Sequence, residues 1–356
     1  MGNDRADMGS NAALMLACCF FAALGLLAFF DGVHPPEATP AGICLPPPQT
    51  WQMPPWLSLA INLALVFFSA FLLAITNRSF NFIPSTSVIF ASTMVLMACA
   101  CPRLMVCLNS STLLLAANAV ALRMIFGQYN AVRRNPGNMF VVATIFSLGS
   151  MVHYSFLFFI VIYACSAALL KAFRLREFLA LLLGVIAPYW IVLGLGLVPV
   201  DDVRFPVIGG FWNQPAPGHE MLWLIVATSL TAFVGLMCGL KNAFSLYSAP
   251  TAIRAYNFAM TLPAMACIIL PMVDWENFTV YYMPICLFAG LEYGYLNAFT
   301  RRPKAIRWSR PKPAQHFSTG FLIYWLTAAV YSFISLMSIY NCLLYTSPSP
   351  RDMRRS

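Results

Sequence analysis

"RRNPGNMFVVATIFSLGSMVHYSFLFFIVIYACSAALLKAFRLRE", residues 133–177, is the stretch on which the fold turns. Arg133 and Arg134 fence it at one end; Lys171, Arg174 and Arg176 fence it at the other. Between them Met139–Leu170 is an apolar run of 32 residues, about 48 Å as one helix. A bilayer core is about 30 Å thick. A single crossing would also leave one fence on the side where basic residues are scarce. The run is therefore expected to enter at Met139, turn near His153-Tyr154 and return to Lys171. Its arms, 139–152 and 155–170, would be about 21 to 24 Å long. Arms that short imply a thin membrane, a re-entrant pair, or a hairpin sheltered by other helices. Gly149 and Ser150 permit close packing at the turn.

The pattern extends along the chain. Of 356 residues, 60% are hydrophobic and only 9% charged, where a soluble domain would carry about 25% charge. No stretch shows the alternation of a membrane β-barrel. Apolar runs fall at 12–30, 57–76, 83–101, 104–125, 139–152, 155–170, 178–198, 221–239, 255–273, 278–298 and 317–340. The predicted fold class is all-α: a polytopic transmembrane helix bundle of about eleven segments, including the short hairpin at 139–170. Residues 1–341 are expected to form a single integral membrane domain.

With the N-terminus inside, the inner segments hold sixteen Lys and Arg residues, and the outer ones hold only Arg103 and Arg204. Asp31, Glu37, Asp201, Asp202, Glu220, Asp274 and Glu276 all fall outside. This bias predicts a multi-pass protein of the bacterial inner membrane with a cytoplasmic N-terminus. It also accounts for the net charge of +9 without a nucleic-acid partner. The basic loop 299–316 is expected to attract anionic lipid headgroups, at about 1 kcal/mol per nearby basic side chain. The other expected partners are the bilayer itself and further envelope proteins.

Two outer loops, 31–56 and 199–220, are rich in proline, which favours extended paths. Most of the eleven cysteines lie in apolar runs and behave as small hydrophobes, so no disulfide framework is implied. The first run is too long for a signal-peptide core and is read as a retained anchor. "CLLYTSPSPRD", 342–352, resembles the translation of a sequencing adapter. On that reading 342–356 is a non-native tail and the genuine chain stops near residue 341.

Candidate chemistry is sparse. Asp31 follows the first span and opens the first outer loop. That placement resembles membrane glycosyltransferases of the GT-C class, which use lipid-linked sugar donors. The resemblance implies that Asp31 acts as general base or metal ligand, with Asp201, Asp202 and Glu220 completing a catalytic site. Alternatively, Asp31 ends a helix at the interface. Asp31, His34 and Glu37 do not form a metal site, because Pro35 and Pro36 break any shared helical face. Arg123 either snorkels to headgroups or binds a phosphate group. Glu292, inside span ten, is a substrate-binding candidate or pairs with Arg301-Arg302 or a tyrosine. His153, at the hairpin turn, either meets an outer substrate or rests beside Tyr154. Asn62, Asn109 and Asn118 suit hydrogen bonding between helices. No phosphate-binding glycine loop, Ser-His-Asp arrangement or haem motif is present, so no cofactor is implied.

Two stretches, 77–98 and 133–190, together resemble an uncharacterised multi-pass inner-membrane family of Bacteroidota. The shared features are Gly149, the His153-Tyr154 turn, the Arg176-Glu177 link and Pro188. The resemblance covers roughly 57–340 and brings no catalytic residues. The leading functional expectation is a non-catalytic membrane partner in the cell envelope. A GT-C-like transferase would instead bring Asp31 and the 199–220 acids together outside the membrane. A secondary transporter would show a cavity near the midplane, broken helices and a polar lining.

Overall fold

The computed structural model describes residues 2–35, 41–83, 88–129, 135–171, 173–199, 203, 219–246, 249–300 and 319–346. Among these are eleven α-helices. They are α1 (Gly2–Phe30), α2 (Pro55–Phe80), α3 (Ile89–Ala98), α4 (Ser110–Phe126), α5 (Pro136–Val152), α6 (Ser155–Leu169), α7 (Leu175–Gly194), α8 (His219–Ser245), α9 (Thr251–Val273), α10 (Phe278–Thr300) and α11 (Thr319–Thr346). Five of them are long and apolar enough to cross a bilayer. The chain is an all-helical, multi-pass membrane bundle.

The hairpin at 139–170 forms as α5 and α6, with His153 and Tyr154 between them. Asn135 caps α5 by accepting from the Gly137 N–H at 3.0 Å, and Pro136 sets its first turn. At the other end Gly149 admits the Phe156 ring of α6, which a Cβ there would strike. α5 is covered along its length by α7. A Cβ on Gly184 of α7 would lie 2.5 Å from the Phe140 carbonyl oxygen, so glycine is what lets the two backbones approach. α7 in turn exposes Leu179, Leu183, Ile186 and Trp190, a face suited to lipid. The short arms are thus sheltered by other helices, one of the expected solutions.

The segment at 83–101 departs from expectation. It was predicted to span, yet α3 covers only Ile89–Ala98, about 15 Å. Every residue from Ala91 to Pro102 is buried. Irregular backbone is tolerated at membrane depth where protein surrounds it and supplies hydrogen bonds. Here Asn62 Nδ2 of α2 donates to the carbonyls of Leu104 and Met105, both at 2.9 Å. Ser58 Oγ accepts from the Leu108 N–H at 2.8 Å. Asn109, expected to join helices, instead caps α4 by accepting from the Thr112 N–H. Asn118 does join helices: its Oδ1 accepts from Tyr163 Oη of α6 at 2.7 Å.

α10 is the axle of the bundle. It packs against α3, α4, α8 and α9, and every residue from Val280 to Tyr295 is buried. Gly290 and Gly294 allow α3 to come close, with Phe90 and Met94 filling the space a Cβ would need. A helix surrounded by protein on all sides can carry polar groups that lipid would not tolerate. This one carries Tyr281, Tyr282, Glu292 and Tyr295.

Candidate functional site

Polar side chains gather at two places along α10. The first lies where the α5–α6 turn meets the α9–α10 turn. Asp274 is 1% exposed. Its Oδ1 accepts from Asn277 Nδ2 at 2.9 Å, and its Oδ2 accepts from Tyr281 Oη at 3.3 Å. Asn277 Nδ2 also donates to Tyr154 Oη at 3.0 Å, and Tyr281 Oη to Ser155 Oγ at 2.8 Å. His153 stacks on Tyr154, with ring centroids 5.2 Å apart, and its Nδ1 accepts from the Ser155 N–H. The link after α1 closes over this knot: the Tyr154 N–H donates to Ala41 O, and the Cys44 and Leu45 N–H groups donate to Met151 O. Three links predicted to lie outside therefore meet at one end.

These link residues titrate abnormally. Burial pushes the His153 imidazole down to about 4, with its contact to Asn277 pulling the other way. Burial raises the Asp274 carboxyl above its usual range, while hydrogen bonds from Asn277, Tyr154 and Tyr281 oppose the rise. Asp274, Asn277, Tyr154, Tyr281 and Ser155 partner one another, while His153 Nε2 is buried without a hydrogen-bond partner. The knot fastens two helix turns together.

The second place lies toward the other end of α10. α8 and α9 both lean on α10 and leave a crevice of about 160 Å³ between them. Gly235, Gly239 and Ala243 of α8 form one wall, Asn257, Thr261, Ala264 and Ile268 of α9 the other, and Ile285, Phe288, Ala289 and Glu292 of α10 the floor. The α8 glycines explain the approach: a Cβ on Gly235 would lie 3.1 Å from the Cβ of Ala289. Leu240, Ala243 and Met265 on the rim are exposed, so the crevice opens sideways toward lipid.

Glu292 is the one carboxyl in that lining and is 5% exposed. Asn242 Nδ2 holds it from α8, donating to both Oε2 and the Glu292 carbonyl oxygen at 2.7 Å. The Asn257 amide lies beside the carboxylate, and its Nδ2 forms no hydrogen bond of good geometry. Both neighbours are neutral. α9 carries Pro263, between the lining residues Thr261 and Ala264, and α10 carries Pro284, just before Ile285; each removes an intrahelical donor beside the crevice.

The candidate residues read from sequence are thus scattered. Glu292 reaches the crevice. The expected partners Arg301 and Arg302 lie outside the described residues, and the hydrogen bond comes from Asn242. His153 sits in the distant knot at 1% exposure, beside Tyr154. Arg123 is half-buried at the end of α4, with a buried Nη1 that finds no hydrogen-bond partner. Asp31 is exposed just past α1. Asp201, Asp202 and Glu37 lie outside the described residues, as does the side chain of Glu220 in the first turn of α8. Among the described residues no group of three His, Cys, Asp or Glu could hold a metal ion.

Sequence reasoning missed Asn242, Asn257 and Asp274 as site residues. The spacing Gly235-x3-Gly239-x3-Ala243 was a usable signal for α8, because small residues every fourth position mark close helix contact. Nothing comparable pointed to Asp274. No known family model matches the chain, and no curated protein or solved structure is similar to it.

Proposed function

We propose that this chain is a secondary transporter of the bacterial inner membrane, with its solute site in the crevice between α8, α9 and α10. The observation that carries this reading is Glu292: an acid 5% exposed, on the floor of a crevice open to the bilayer, held by one neutral side chain. Ionisable residues at membrane depth are costly and mark ion or substrate pathways. A carboxyl that can exchange a proton for a solute couples the two movements. The prolines of α9 and α10 mark where these helices can bend. The excess of basic residues in alternate links supports a cytoplasmic N-terminus. In that orientation Glu292 lies nearer the cytoplasmic side, and the basic composition of 299–316 would favour anionic headgroups there.

The test is reconstitution. The purified chain in liposomes with a trapped pH dye should move protons when a gradient of a transported solute is imposed. Glu292→Gln should abolish that movement while leaving the protein folded. If a panel of small cationic, neutral and anionic solutes drives no proton movement, the transporter reading fails. The non-catalytic envelope partner would then be preferred.

A further inference from the structure

We infer that the crevice takes a small organic ammonium ion: a primary amine bearing an apolar body about the size of one ring, drawn sideways from the bilayer. This deepens the reading of the crevice as a solute site and rests on it. Four observations converge. A nearly buried carboxyl stands at one end of a largely apolar slot, beside neutral partners only. A carboxylate in such surroundings is stabilised by a cation, and an ammonium group supplies both charge and three N–H donors. The crevice volume is about 160 Å³. An apolar cavity of about 150 Å³ accommodates benzene, which sets the size of the body.

The walls complete the fit. Beyond Glu292 the slot is bounded by Gly235, Ala264, Ile268, Ile285 and Phe288, which offer apolar contact to a ring or short branched chain. The exposed rim at Leu240 and Met265 leaves a lateral path. A hydrophobic amine partitions into the bilayer and so reaches that rim at raised local concentration. Its charged end is costly there until it meets an acid. Asn257 adds a second polar contact on the wall, because its Nδ2 is buried and lacks a well-formed hydrogen bond.

The test uses the full chain in nanodiscs, titrated calorimetrically with benzylamine, cyclohexylamine and 2-phenylethylamine. Benzyl alcohol and toluene serve as neutral isosteres, and sodium ion as a bare cation. At least one amine should bind about tenfold more tightly than its neutral isostere. Glu292→Gln should erase that preference. Ala264→Phe, which fills the slot away from the carboxyl, should weaken amine binding about tenfold while leaving Tm nearly unchanged.

Equal binding of neutral and charged rings would overturn the inference and make the crevice an acyl slot. So would unchanged affinity in Glu292→Gln, or competition by sodium ion as strong as by the amines. Failure of all three amines to bind at millimolar concentration would also overturn it. Amine binding without proton movement in liposomes would retire the transporter reading and leave the ammonium site standing. Proton movement driven by another solute, with no amine binding, would do the reverse.

Discussion

Asp274 and Glu292 are exposed by only 1% and 5%, and they lie at opposite ends of the same buried helix region, yet their surroundings differ in kind. Both oxygens of Asp274 are occupied, by Asn277 and Tyr281, within a knot drawn from three links. Glu292 has Asn242 on one oxygen and a crevice in front of it. A buried carboxylate with both oxygens occupied fixes a structure. One that is partly satisfied and opens onto space can exchange partners. The comparison teaches that burial of an acid does not by itself mark a functional site; the unfilled volume beside it does.

The largest effect that would break this contrast is on stability. Asp274→Ala strips acceptors from Asn277 and Tyr281 inside the closed knot, and should cost about 4 kcal/mol. Denaturation in mild detergent should show it, and a loss below that of Asn242→Ala would place the structural weight at the wrong end. The second effect depends on pH. His153 is neutral in the fold down to about pH 4 but charges near 6.5 when unfolded. Its stabilisation is therefore present above about 6.5 and is lost as pH falls toward 4, by roughly 3 kcal/mol. Asp274 works the other way, since a raised carboxyl favours the fold at low pH and loses that contribution as pH rises through its shifted value. The other ionisable groups facing this pair are Glu276, Tyr154 and Tyr281. Melting curves from pH 7 to 4.5 should show a steeper loss for wild type than for His153→Phe.

Two smaller effects sharpen the open end. Asn242→Ala removes both bonds to Glu292 and should cost about 2 kcal/mol, measured in the same unfolding assay. Gly239→Ala should leave stability unchanged or raise it by up to about 1 kcal/mol, because a Cβ there meets Glu292 Cδ at an ordinary 3.7 Å and helical glycine is costly. The same change narrows the slot, so ligand binding should weaken while Tm holds. A fall in Tm of several degrees would mean that α8 and α10 are packed more tightly than the crevice allows.

The sequence by itself determined the bundle. The basic fences around 139–170 and the thickness of a bilayer left only an even number of crossings, and α5 and α6 make that hairpin with its turn at His153-Tyr154. Hydropathy is a property of each segment, so it is legible residue by residue. It misjudged 83–101 because an apolar run reads alike whether lipid or protein surrounds it. The Asn62 side chain that makes the short α3 and its following turn tolerable comes from a helix about forty residues away. The crevice was decided only by tertiary structure for the same reason. Glu292 was visible as an anomaly in span ten, but Asn242 and Asn257 reach it from two other helices, and the gap between those helices is written in no single segment.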